Sequence, residues 1–103
     1  MLLVREVFHC RPGKVRPMVD KFLAMAKLPA SEGTGQMRIM TDFCGERYWT
    51  IVAEFEVTSM AAFDEMMKGT GMSEEATREM EKIMEGYHDL IDSGHREIYK
   101  IEG

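Results

Sequence analysis

Residues 47–57, RYWTIVAEFEV, alternate with a period of two. Trp49, Ile51, Ala53, Phe55 and Val57 fall on one side, and Tyr48, Thr50, Val52, Glu54 and Glu56 on the other. Successive side chains of an extended chain point to opposite faces, so this is a strand with a dry face and a wetter one. Such a strand must sit in a sheet and be covered on its dry side. Residues 36–43 read as its hairpin partner, across Cys44-Gly45-Glu46. An odd loop of three residues sets Phe43 opposite Arg47. It places Met37, Ile39, Thr41 and Phe43 on the face of Trp49, Ile51, Ala53 and Phe55, and leaves Arg38 diagonal to Glu54. A two-residue loop would mix the faces, because a slip of one residue flips every side chain.

The remaining segments supply the cover. LLVREVFHC at 2–10 alternates and is rich in Val, Leu and Phe, which predicts a first strand ended by Arg11-Pro12-Gly13. From 14 to 28, Val15, Met18, Val19, Phe22, Met25 and Ala26 recur at helical spacing, and Pro17 falls within the first turn, where a missing N–H costs little. PASEGTG at 29–35 is a loop. Thr58-Ser59 caps a short helix to Met67 or Lys68, with Met60, Phe63 and Met67 inward. Gly69-Thr70-Gly71 breaks the chain. Ser73 caps a longer helix whose stripe runs through Ala76, Met80, Ile83, Met84, Tyr87, Leu90 and Ile91, stopped by Ser93-Gly94. HREIYKI at 95–101 is the last strand.

The order β-α-β-β-α-α-β, in 103 residues, predicts a single α+β domain over 1–103. Its architecture is a ferredoxin-like four-stranded antiparallel sheet with helices on one face. The other face is left bare, carrying Leu3, Val7, Met40, Tyr48 and Val52 beside Arg5, His9, Arg38, Asp42, Thr50 and Glu54. That is too apolar to leave in water over a whole sheet and too polar for an ordinary core. A second copy laid against it satisfies both, so a homodimer is expected with Arg5, His9, Arg38, Val52 and Glu54 at its interface. A net charge of -5 with no Lys/Arg run argues against nucleic acid and anionic membrane surfaces, and no apolar run approaches the length of a membrane span. MLLVREVFHC is too short and too soon charged for a signal peptide. Cys10 and Cys44 read as small hydrophobes of a reducing, cytoplasmic protein, and the eleven Met residues as core filler.

The element order, the length, and the run EFEVTSMAAFDEMMKG leading into a long helix and a last strand resemble the dimeric α+β barrel proteins. Within them the chain is similar to the antibiotic-biosynthesis-monooxygenase-like and NIPSNAP-like branches. The resemblance implies two four-stranded sheets closed into one barrel, with a pocket between each sheet and its helices. It spans cofactor-free oxygenases, haem-degrading enzymes, isomerases and proteins with no assigned activity, so fold alone does not choose among them. The haem-degrading relatives use an Asn on the first strand, a Trp near the end of the third and a His on the next helix. This chain has no Asn, no His between Ser59 and Lys68, and its Trp49 sits early in its strand.

Candidate chemistry sits on the helix-facing side. Glu6 shares the even face of the first strand with Leu2, Val4, Phe8 and Cys10. A carboxylate there is costly unless paired, and burial suits it to act as a general base, alone or with His88; the other reading is that it reaches the sheet end or pairs with a Lys or Arg from a helix. Trp49, Tyr87 and Phe8 can hold a flat ring, or can simply fill core. The expected site has Glu6 and Trp49 on its floor and Tyr87 or His88 on its roof. His9 and His95 show no ligand spacing, so no metal is expected, and no cofactor. The functional expectation is a small homodimeric protein binding a small apolar or aromatic molecule between sheet and helices. The alternative is a cofactor-independent monooxygenase or isomerase acting on an aromatic or enolic substrate.

Overall fold

A computed structural model describes residues 1–28, 33–69 and 73–103. The strands β1 (Leu2–Cys10), β2 (Arg38–Thr41), β3 (Thr50–Val57) and β4 (Ile91–Lys100) form one antiparallel sheet in the order β2-β3-β1-β4. Helices α1 (Val15–Ala26), α2 (Met60–Met67) and α3 (Glu74–Met84) follow the predicted order, and a 3-10 turn spans Tyr87–Asp89. The loop expected at 29–35 and the break at 69–71 fall partly outside the described residues.

The helices lie on one face. Met18, Val19 and Phe22 of α1 bury against Cys10, Ile51 and Ala53, and Phe63 of α2 buries against Val4, Phe55 and Val57. These are two adjoining apolar clusters. The even residues of β1 feed both, with Phe8 against the ring of Phe22 at 5.6 Å between centroids. Both predicted caps form: Ser59 Oγ accepts from Ala62 N at 3.1 Å and Ser73 Oγ from Ala76 N at 3.0 Å. Each satisfies a backbone donor that the first helical turn leaves free. On α2 the inward residues are Phe63 and Met66, whereas Met60 and Met67 are exposed. Eight residues make little more than two turns, so one narrow stripe reaches the sheet.

Two boundaries differ from the sequence reading. The β2–β3 ladder pairs Arg38 with Glu54, Ile39 with Ala53 and Thr41 with Ile51, two residues away from the expected register but of the same parity. The faces are therefore as expected, while the turn is wider. Asp42 closes the ladder, because its Oδ1 accepts from Thr50 N at 2.8 Å and its own N–H donates to Thr50 O at 3.1 Å. A side chain that bonds the backbone in this way competes with further strand pairing. Beyond it Phe43 is fully exposed, and Trp49 adopts a left-handed φ of 61° and is 43% exposed. Trp49 has thus left the strand alternation, and the expectation that it packs in the core with Ile51 and Phe55 is corrected.

The second difference is the end of α3. The helix stops at Met84 because Gly86, at φ 78°, turns the chain left-handed. Lys21 then donates from Nζ to the carbonyls of Ile83 at 2.9 Å and Glu85 at 2.7 Å, satisfying acceptors the helix end leaves free. Tyr87, Leu90 and Ile91 lie beyond the α-helix, although they still pack against the α1 cluster. Ser93-Gly94 is no stop: both residues lie inside β4, and a Cβ on Gly94 would come 2.6 Å from Phe8 Cδ1. Glycine is there because the Phe8 ring lies on the strand backbone.

Candidate functional site

The sheet face opposite the helices carries an ordered row of charge. Arg38 on β2 faces Glu54 on β3, Glu54 faces Arg5 on β1, and Arg5 faces Glu97 on β4. Antiparallel register brings such partners within reach of each other's charged ends. Arg38 Nη2 lies 2.7 Å from Glu54 Oε1, Arg5 Nε 3.2 Å from Glu54 Oε2, and Arg5 Nη1 3.1 Å from Glu97 Oε1. The Nε contact is at ion-pair distance, but its N–H is not aimed for a hydrogen bond. Glu54, with only 12% of its side chain exposed, is the shielded centre of the row.

Glu97 also accepts from His95 Nε2 at 3.0 Å and from Tyr99 Oη at 3.0 Å. The His95 bond chiefly, then the Tyr99 bond and the Arg5 charge, hold its carboxyl below the usual range against an opposing effect of burial. The next row along the strands is Met40, Val52, Val7 and His95, of which Val7 is only 7% exposed. His9 lies one row further on, its ring 6.0 Å from that of His95. Thr50 Oγ1 gives its proton to Arg47 O at 2.9 Å, so its contact with His9 Nδ1 at 3.2 Å is one in which the imidazole donates. Burial first, then the charges of Arg47 and His95, pull the His9 pKa below its ordinary value.

All five residues expected on this face (Arg5, His9, Arg38, Val52 and Glu54) lie together on it. Sequence reasoning missed Glu97 and Tyr99. The parity of HREIYKI puts His95, Glu97 and Tyr99 on one side and Arg96 and Ile98 on the other. That signal becomes usable only once the start of β4 is known.

The helix-facing candidates divide into two places. Glu6 lies opposite Ala53 and Arg96 in mid-sheet, 17% exposed, and its carboxylate is ion-paired with Arg96 Nε. Arg96 in turn lies 5.1 Å from the centre of the Phe63 ring. The pairing cation comes from the neighbouring strand β4, not from a helix as expected, and Glu6 lies in mid-sheet rather than at its end, because antiparallel register sets Arg96 directly opposite it. Trp49 sits elsewhere. Its carbonyl accepts from Cys10 N at 2.8 Å, four residues along β3 from Ala53, roughly 13 Å at the rise of a strand. Leu90 O accepts from Arg11 N at 2.9 Å, which brings the turn of Tyr87 and His88 to the same end of β1. The Tyr87 and His88 rings lie against each other, tilted by 34° with centroids 3.9 Å apart. Trp49 and the turn of Tyr87 and His88 therefore both lie near the Cys10 end of β1 but on its opposite flanks, Trp49 on the β3 side and the turn on the β4 side, while Glu6 stands apart from Trp49.

Burial and then the charges of Asp42 and Asp92 raise the Cys10 thiol pKa, which keeps that buried group protonated and unreactive. Among the described residues no three of His, Cys, Asp and Glu come together as a metal site. A groove of about 430 Å3 between α1 and α3 is lined by Leu23, Ala24, Lys27 and Ile83 among others, and by none of the candidate residues.

No family model matches the sequence, and no curated protein matches it. The backbone does match solved structures. An uncharacterised NIPSNAP-like domain protein from Burkholderia xenovorans superposes with a TM-score of 0.75 at 11% identity, covering 98% of this chain and 84% of that one. Rv0793 from Mycobacterium tuberculosis superposes at 0.70 with 16% identity, covering 99% and 95%. A proposed antibiotic biosynthesis monooxygenase from Deinococcus radiodurans superposes at 0.69 with 8% identity, covering 100% and 94%. The chain shares the fold of the NIPSNAP-like and antibiotic-biosynthesis-monooxygenase-like proteins.

Proposed function

We propose that the protein is a homodimeric α+β barrel that binds a small apolar or aromatic molecule between sheet and helices, at the Cys10 end of β1. The observation that carries this reading is the uncovered sheet face. Among the described residues every helix packs on the other side, and this one keeps Val7, Val52 and Met40 beside a row of charges already paired within the chain. Paired charges tolerate loss of water far better than single ones, so the face is suited to burial against a second sheet. The ligand part rests on Phe8, Trp49, Tyr87 and His88 all lying toward the Cys10 end of β1, large flat surfaces with a few polar edges. Glu6, held by Arg96 and distant from Trp49, supports binding rather than proton abstraction.

Sedimentation at micromolar concentration tests the dimer and should give a species of twice the chain mass. Val52→Asp places an unpaired charge in the middle of the face and should give a monomer. A wild-type monomer at these concentrations refutes the reading. For the ligand, a flat phenol or quinone should quench the single Trp saturably, and Tyr87→Ala should weaken the effect several-fold. Quenching that only rises linearly with concentration is collisional and would remove the site.

A further inference from the structure

We infer that the row Arg38–Glu54–Arg5–Glu97 sets the way two copies face each other, with Arg38 opposite the partner's Glu97 and Arg5 opposite the partner's Glu54. This rests on the dimer reading above and adds to it an orientation and a set of pairs. Neighbouring strands lie about 4.8 Å apart, so the row spans roughly 14 Å of sheet, one charge per strand, in the order plus, minus, plus, minus. Two copies of one surface meet about a two-fold axis. If that axis lies in the interface parallel to the strands, between β3 and β1, it exchanges β2 with β4 and β3 with β1 and keeps every row opposite itself. The row read backwards is minus, plus, minus, plus. All four positions then meet an opposite charge, and in the next row Val52 meets the partner's Val7.

An axis perpendicular to the strands does the reverse. Passing through the charged row, it sets each strand on its own copy, Arg5 on Arg5 and Glu54 on Glu54. Moved along to the Val52 row, it sets Glu54 against Thr50, Arg5 against His9 and Glu97 against Ser93, which leaves at most the pair Arg38 and Asp42. Like charges facing each other across an interface repel strongly, and this repulsion selects one arrangement over another. The row is neutral in total, so the favoured arrangement buries it without net charge.

Charge reversal on two separate chains tests the pairing. Arg38 is 72% exposed in the single chain and Glu97 lies on an edge strand, so both positions can be changed with little effect on the core. In an Arg38→Glu homodimer the introduced carboxylate would face Glu97 twice. In a Glu97→Arg homodimer the introduced guanidinium would face Arg38 twice. Each variant alone should dimerise about tenfold or more weakly than wild type. An equimolar mixture should form a heterodimer, because one chain's reversed charge meets the other's. Variants that dimerise as tightly as wild type, or a mixture that recovers nothing, overturn the pairing while leaving the dimer standing. A wild-type monomer instead refutes the dimer reading, and the pairing with it.

Cross-linking reports the same geometry without charge reversal. In a Cys44→Ser background, Arg38→Cys chains mixed with Glu97→Cys chains should be joined into a dimer by a bifunctional thiol reagent that spans about 10 Å, the separation of stacked sheets. Cross-linking of Arg38→Cys with itself would place the axis perpendicular to the strands and overturn the inference.

Discussion

Gly94→Ala is a small change with a calculable cost. The added Cβ lies 2.6 Å from Phe8 Cδ1, 2.8 Å from Phe8 Cε1 and 3.2 Å from the Val7 carbonyl. Carbon atoms in comfortable contact stand about 3.5–4 Å apart, so the ring must retreat by roughly 1 Å. Behind it stands the Phe22 ring, 5.6 Å away between centroids, and Phe22 is buried in the α1 cluster. Overpacking of this kind costs about 1–3 kcal/mol. Removing a glycine from a strand returns about 0.5–1 kcal/mol through the unfolded chain. The net expectation is a loss of about 1–2 kcal/mol, or a melting temperature lower by about 5–10 °C for a chain of this size. Urea unfolding followed by circular dichroism at fixed protein concentration measures it. The double-mutant cycle isolates the cause: in a Phe8→Ala background the same Gly94→Ala change should be neutral or stabilising. If Gly94→Ala costs nothing, or costs as much without the Phe8 ring as with it, the ring contact does not explain the glycine.

Trp49 holds a left-handed backbone at φ 61° and is 43% exposed, so Trp49→Gly exchanges lost contact for relieved strain of about 1–2 kcal/mol and should lie within about 1 kcal/mol of wild type in urea unfolding. A loss above about 3 kcal/mol would put the indole back in the core. Ser73→Ala removes the Oγ that accepts from Ala76 N and should lower stability by about 0.5–2 kcal/mol, with Ser73→Asp close to wild type. The His9 pKa lies below its ordinary 6.5, so the unfolded chain takes up a proton first and stability falls as pH drops through that range. His9→Gln should flatten that part of the pH–stability curve; an unchanged slope from about pH 7 to 5 would assign the effect elsewhere. The depressed Glu97 carboxyl acts lower down, its contribution present above its unfolded value and lost as pH falls through the folded one. Glu97→Gln should therefore remove a separate loss below about pH 4.5 without touching the His9 step, as an acid titration of the circular dichroism signal would show.

By itself the sequence determined the element order, the composition of the two sheet faces and the helix starts. Each is written in local chemistry. The period of two in TIVAEFEV and LLVREVFHC places Val4, Ile51, Ala53 and Phe55 on the helix side, whatever the loop between β2 and β3 does. Ser59 and Ser73 cap their helices through bonds that span only three residues. The tertiary structure alone decided where elements stop and which side chains meet. α3 ends ahead of Gly86 rather than at Ser93-Gly94 because Gly86 turns the chain left-handed, and Lys21, far earlier in the chain, takes the carbonyls freed there. Gly94 is explained by a ring on another strand, which no local pattern reveals. Asp42 bonds Thr50 across a turn wider than the shortest parity-conserving loop, and so expels Trp49 from a strand its own alternation fits. The charged row depends most on this long-range register. Arg5, Arg38, Glu54 and Glu97 are far apart in the chain, and their alternation of sign exists only once four strands are aligned at one level. Burial on one face excludes a one-residue slip, which would send every apolar side chain to the wrong side, but a two-residue shift like that of β2 on β3 keeps the faces, so only the assembled ladders set the level.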